Sequence, residues 1–125
     1  QLFSTAAPPP PPPLGGNGNG LRAEYFDNAD FTGTKVTRTD TTVNFNWGNG
    51  SPDPQIGADT FSALWTGQIL APTTGAYQFF TTTDDGVRLF VNGQQVIDSF
   101  INQAATERTG TINLVGGQRY DIRME

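Results

Sequence analysis

Leu21, Ala23 and Tyr25 alternate with polar residues, and the same period of two returns in Val43-Phe45-Trp47, Phe61-Ala63-Trp65, Tyr77-Phe79, Val87-Leu89-Val91 and Tyr120-Ile122-Met124 in turn. Side chains two apart share one face of a pleated strand, so each run predicts a half-buried β-strand, with Thr at many outward positions. Turn signals separate the runs: Gly48-Asn49-Gly50-Ser51-Pro52, Pro72-Thr73-Thr74-Gly75, Asp84-Asp85-Gly86, Asn92-Gly93 and Gly116-Gly117. Asn92-Gly93, between VRLFV and QQVID, is the strongest of them, because both central residues tolerate positive φ and so predict a tight hairpin. No helical period runs far enough to count, apart from one candidate turn at Ile101–Ala105. The predicted class is all-β, an antiparallel sandwich or a partly open barrel.

The first 20 residues, QLFSTAAPPPPPPLGGNGNG, break this pattern, and every charged residue follows them. Pro8 to Pro13 predict a polyproline II rod of roughly 19 Å at about 3.1 Å per residue, and Gly15 to Gly20 predict a hinge or irregular loop. The division expected is therefore an arm over 1–20 and one β-domain over 21–125. A chain of 125 residues is one domain's worth of core.

Charge and composition narrow the function. With 7 basic against 12 acidic residues, the chain carries −5 and lacks the cationic footprint that a phosphate backbone or an anionic lipid surface needs. No apolar run has the length of a membrane span. The absence of Cys and of His excludes thiolate and Ser-His-Asp chemistry within this chain. Carboxylate-pair chemistry and oxygen ligation of a hard cation survive. The chain opens at Gln1 without a Met or a signal segment, which reads as a processed product or an excerpt.

The succession LRAEYF (21–26), Asp30-Phe31, FSALWTGQIL (61–70), Ala71-Pro72, Gly75-Ala76-Tyr77-Gln78-Phe79, Asp84-Asp85-Gly86-Val87-Arg88-Leu89, Val91-Asn92-Gly93 and Val96-Ile97-Asp98 resembles the PA14 domain over residues 21–125. Each piece alone is weak; the ordered set is specific. The resemblance implies an antiparallel β-sandwich in a non-enzymatic extracellular or cell-surface module, one that binds glycans or serves as a spacer or assembly unit. It also implies a closing strand beyond Met124-Glu125, where this sequence stops. Gln1, Leu2, Phe3, Ser4 and Thr5 read like such a strand. The arm reaches on the order of 40 Å, against a domain diameter near 34 Å. Two expectations follow: donation of residues 1–7 to the next copy in a head-to-tail filament, or adjacent modules of a repeat protein.

In the lectin-like adhesins that share the resemblance, the residues matching Asp84 and Asp85, joined by a cis peptide, hold calcium that coordinates sugar hydroxyls. Asp84 and Asp85 are thus the candidate Ca²⁺ ligands, with Asn102, Gln103 and Asn92 as candidate contributors, Asn102 and Gln103 also as candidate sugar contacts. The plain alternative is a polar turn. Trp47, ahead of a Gly-Asn-Gly loop, is the candidate for stacking on a sugar ring, whereas Trp65 lies in a strand pattern and reads as core. Asn49-Gly50-Ser51 is the one glycosylation sequon, followed by Pro52. A glycosidase pair among Asp84, Asp85, Asp98 and Glu107 finds no support in their spacing.

Overall fold

Tyr25, Phe79, Leu89, Ile122, Val87 and Val91 are the largest side chains wholly withdrawn from water. They come from alternating positions, and the elements that carry them follow from that alternation. The structure, a computed structural model, describes residues 18–125. The expected donor strand Gln1–Thr5 and the proline rod lie outside the described residues.

Eight strands form among the described residues: β1 (Leu21–Phe26), β2 (Lys35–Asp40), β3 (Ser62–Leu70), β4 (Gly75–Thr83), β5 (Val87–Val91), β6 (Gln94–Ser99), β7 (Thr106–Leu114) and β8 (Arg119–Met124). A six-stranded sheet has the order β2-β1-β3-β8-β5-β6, and β4 pairs with β7 in a second sheet. Every pairing is antiparallel, with Tyr25 opposite Ala63, Trp65 opposite Met124 and Tyr77 opposite Ile112. The fold is an antiparallel β-sandwich, the architecture that the resemblance implies. Its core joins Leu21, Ala23, Tyr25, Trp65 and Leu89 of the large sheet to Tyr77, Phe79, Ile112 and Leu114 of the small one. Each such large side chain contributes about 1.5–3 kcal/mol by leaving water.

Among the described residues the chain changes sheet four times, and the changes come in touching pairs. At one end, residues 71–74 lead into β4 and residues 115–118 leave β7. They are laced by Ala71 N–H to the Gln118 carbonyl (3.0 Å) and Gly117 N–H to the Ala71 carbonyl (2.7 Å). At the other end, residues 84–86 join β4 to β5, and residues 100–105 join β6 to β7.

Two predicted elements differ. Val43, Phe45 and Trp47 alternate, yet they lie in irregular chain: Val43 and Trp47 pack on the core and Phe45 stays exposed. Alternation reports which side chains seek burial, but a strand also needs a partner to take its backbone hydrogen bonds. The strand nearby is β2, KVTRTD, whose single apolar residue hides it; as a sheet edge it carries Lys35 and Arg38, charges typical of a protected edge. Residues 101–105 form no helical turn, being bends and coil that carry the chain between sheets. The Asn92-Gly93 hairpin is present, with φ of 53° and 73°.

Candidate ligand-binding site

Asp84 and Asp85 lie exposed on the crossing from β4 to β5, and the peptide between them is cis. The second crossing packs directly on this turn. A Cβ on Gly86 would sit 2.6 Å from the Ile101 nitrogen and 2.8 Å from the Phe100 carbonyl carbon, so glycine is what allows the two segments to touch.

Gln103 fastens them together. Its backbone N–H donates to Asp85 Oδ1 (3.2 Å), while its Nε2 donates to the Asp85 carbonyl oxygen (3.0 Å) and to Thr83 Oγ1 (3.2 Å). Thr83 Oγ1 in turn donates to the same Asp85 carbonyl (2.8 Å). The orientation of the amide is determined from behind. Arg108 Nε can only donate, and it donates to Ser99 Oγ (3.1 Å). The Ser99 hydroxyl therefore donates its own hydrogen to Gln103 Oε1 (3.0 Å), which leaves Nε2 facing the turn. Ser99 is itself buried.

Both carboxylates are thus presented to solvent from one braced turn, and that of Asp84 has no hydrogen-bond or ion-pair partner among the described residues. Like charges held side by side favour a cation between them. No group of three acidic, His or Cys side chains comes together among the described residues. Calcium takes about 6–8 oxygen ligands, so Asp84 and Asp85 would be joined by neutral oxygens: the exposed Asn102, main-chain carbonyls and water. This all-oxygen donor set fits a hard cation. The Gln103 amide oxygen is already engaged by Ser99, so Gln103 acts as a brace for the turn. Asn92 lies across β5 from the pair, at the hairpin end, so it does not join the site. A calcium ion held at this turn is expected to bind about tenfold more weakly in Gln103→Glu despite the added negative charge, because a carboxylate oxygen would replace the donor facing the Asp85 carbonyl. Calcium calorimetry reads the sign; tighter binding would mean that charge outweighs bracing.

A family model for the PA14 domain matches residues 17–125. The chain belongs to the PA14 domain family. Among relatives of this PA14 domain, the anti-sigma-I factor RsgI3 of Acetivibrio thermocellus is 47% identical over 110 residues, covering 88% of this chain and 17% of that protein. An anti-sigma factor domain-containing protein from Clostridium clariflavum, of known structure, superposes with a TM-score of 0.79 at 42% identity, over 84% of this chain and 36% of that one. A PA14 sugar-binding domain from an RTX adhesin superposes with a TM-score of 0.60 at 25% identity, over 85% of this chain and 80% of that one. The chain thus spans about a sixth of the RsgI3 relative.

In this PA14 domain Trp47 is half-buried among other rings. Phe45 stacks on it at 5.0 Å, and Tyr25 and Phe61 meet it edge-on at 5.9 and 5.6 Å. The ring left facing water there is Phe45, 39% exposed. Asn49 is exposed in a turn closed by Gly50 N–H to the Trp47 carbonyl (2.8 Å), which presents the sequon at the surface.

Sequence reading missed a buried ionic centre beside that cluster. The Asp40 carboxylate accepts hydrogen bonds from the Tyr25 hydroxyl, from Trp65 Nε1 (2.9 Å) and from Arg38 Nε (2.7 Å). Burial alone pushes the Asp40 carboxyl up, but the bonds from Tyr25, Trp65 and Arg38 outweigh it and hold the group below its ordinary range. Burial, then the hydrogen bond to Asp40, pushes Tyr25 above its ordinary value. Trp65 is accordingly core and anchored.

Proposed function

We propose that this PA14 domain is a non-catalytic, calcium-dependent carbohydrate-binding module of a larger cell-associated protein, facing the outside of the cell. The observation that carries the reading is the braced, solvent-facing Asp84–Asp85 turn, whose Asp84 carboxylate has no hydrogen-bond or ion-pair partner among the described residues. Calcium bound there would take two adjacent sugar hydroxyls into its coordination shell, and such a cation-bridged contact favours ligands rich in vicinal diols. Likeness to a sugar-binding domain of an adhesin supports the same class of ligand. The family relation to anti-sigma factors supports a module whose occupancy is read by the rest of its protein. No helix among the described residues is long and apolar enough to cross a membrane. Copy-to-copy strand donation rests on Gln1–Thr5 and has no part in this reading.

Isothermal calorimetry tests it. Wild type should bind calcium, then a simple hexose or pentose only when calcium is present. Asp85→Asn should weaken calcium binding by at least about tenfold, the scale of one lost charged ligand. Absence of heat from wild type with calcium and every sugar would end the proposal.

A further inference from the structure

Arg108 stands on β7, in the small sheet, whereas the acidic turn leads into β5 of the large one, yet a line of hydrogen bonds joins them. Arg108 Nε donates to Ser99 Oγ at the end of β6, Ser99 donates to Gln103 Oε1, and Gln103 Nε2 donates to the Asp85 carbonyl. Each step hands the donor role forward. The line begins on a guanidinium, which only donates and stays charged in proteins, so its direction cannot reverse while Arg108 is in place. Bonds that all point one way polarise one another. Ser99 is 6% exposed, which keeps bulk water from competing for its hydroxyl.

The far end of the line fixes three things at the turn. The Asp85 carbonyl takes both Gln103 Nε2 and Thr83 Oγ1, which fills its two lone pairs and leaves none for a metal. Asp85 Oδ1 takes the Gln103 backbone N–H, so Oδ2, without a donor among the described residues, is the oxygen left for a cation. Asn102 is held on both sides, by Ile101 against Gly86 and by Gln103 against Asp85, which keeps this candidate neutral ligand beside the two carboxylates. Without the donor from Arg108, Ser99 Oγ is open to accept from Gln103 Nε2. The reversed amide would then set Oε1 against the Asp85 carbonyl, two acceptors with no hydrogen between them. We propose that Arg108 and Ser99 are positioning residues for the cation site: neither is bonded to a carboxylate of the turn, and together they hold the amide polarity that shapes it. The proposal rests on the calcium reading of the acidic turn given above and adds to it a control exerted from the opposite sheet.

Two measurements on Arg108→Met, Arg108→Lys, Ser99→Ala and Gln103→Ala test it. In calcium-free protein, the side-chain NH₂ and backbone N–H signals of Gln103 in a proton–nitrogen correlation spectrum should move in Arg108→Met and in Ser99→Ala. They should return to near their wild-type positions in Arg108→Lys, whose ammonium also only donates. By calcium calorimetry, Arg108→Met and Ser99→Ala should each bind about fivefold more weakly, the scale of one net hydrogen bond, while Arg108→Lys binds as wild type does. The sign separates this role from simple charge, because removing a positive charge near two carboxylates would by itself tighten cation binding. In the Gln103→Ala background, Arg108→Met should bring no further weakening, since the line acts through that amide. Tighter binding in Arg108→Met, or a weakening that adds in full to that of Gln103→Ala, overturns the proposal. Wild type that binds calcium while the Gln103 signals stay unmoved in both variants overturns this proposal alone. Wild type that binds no calcium overturns the reading of the acidic turn and this proposal with it.

Discussion

Asp40→Ala is expected to lower the unfolding free energy by about 3 kcal/mol and Tm by roughly 15 °C. The carboxylate is 5% exposed and answers three donors at once, from Tyr25, Trp65 and Arg38. Removing it leaves a phenol and an indole N–H inside the core without their acceptor, and an Arg38 guanidinium that keeps only the Pro52 carbonyl and the Tyr25 hydroxyl. Thermal unfolding followed by circular dichroism reads the loss, and a fall below about 1 kcal/mol would show that water satisfies these donors as well as Asp40 does.

The same centre sets a pH dependence with a definite sign. Asp40 has a folded-state pKa held below its unfolded value, so its contribution is complete above about pH 4 and is lost as pH falls through the depressed value. Tyr25 is raised instead, so its contribution is complete below about pH 10 and is lost as pH rises beyond it. Asp40→Ala should lack the acid-side loss that wild type shows.

Gly110→Ala is expected to cost about 2–3 kcal/mol, through overpacking between the two sheets. A Cβ on Gly110 would fall 2.0 Å from the Val96 carbonyl oxygen and 2.5 Å from Val96 Cγ1. The obstacle is partly backbone, so no rotamer change relieves it, and β7 must move away from β6 along with the layer it belongs to. Gly75 in β4 supplies the control, since a Cβ there meets nothing within 4 Å. Gly75→Ala should therefore stay within about 0.5 kcal/mol of wild type by chemical denaturation. Equal effects of the two changes would mean that backbone entropy, not the sheet contact, governs both.

Sequence pattern was most informative where a strand is half-buried, as in β1, β4, β5 and β8, because alternation and burial are then the same signal. It failed at β2, where Val36 is the only apolar residue and the strand is held by its ladder to β1 rather than by its side chains. It misled at 43–47, where three apolar residues cover the end of the core without a paired backbone. The acidic turn was legible as a turn from Asp84-Asp85-Gly86, while its candidacy as a cation site came from the resemblance. Gln103 could be named as a neighbour, but not given its role: that depends on Ser99 and Arg108, which reach it through the meeting of two sheets. Asp40 was invisible for the same reason, since its three partners come from β1, β2 and β3 and no local spacing unites them.

The acidic turn occupies one of two abutting crossings at the same end of the sandwich, and that position has a mechanical consequence. A molecule held there pulls on the link between β4 and β5 and, through Gln103, on the link between β6 and β7. Were a glycan anchored there, its pull would enter both layers of the sandwich at once rather than through a single link.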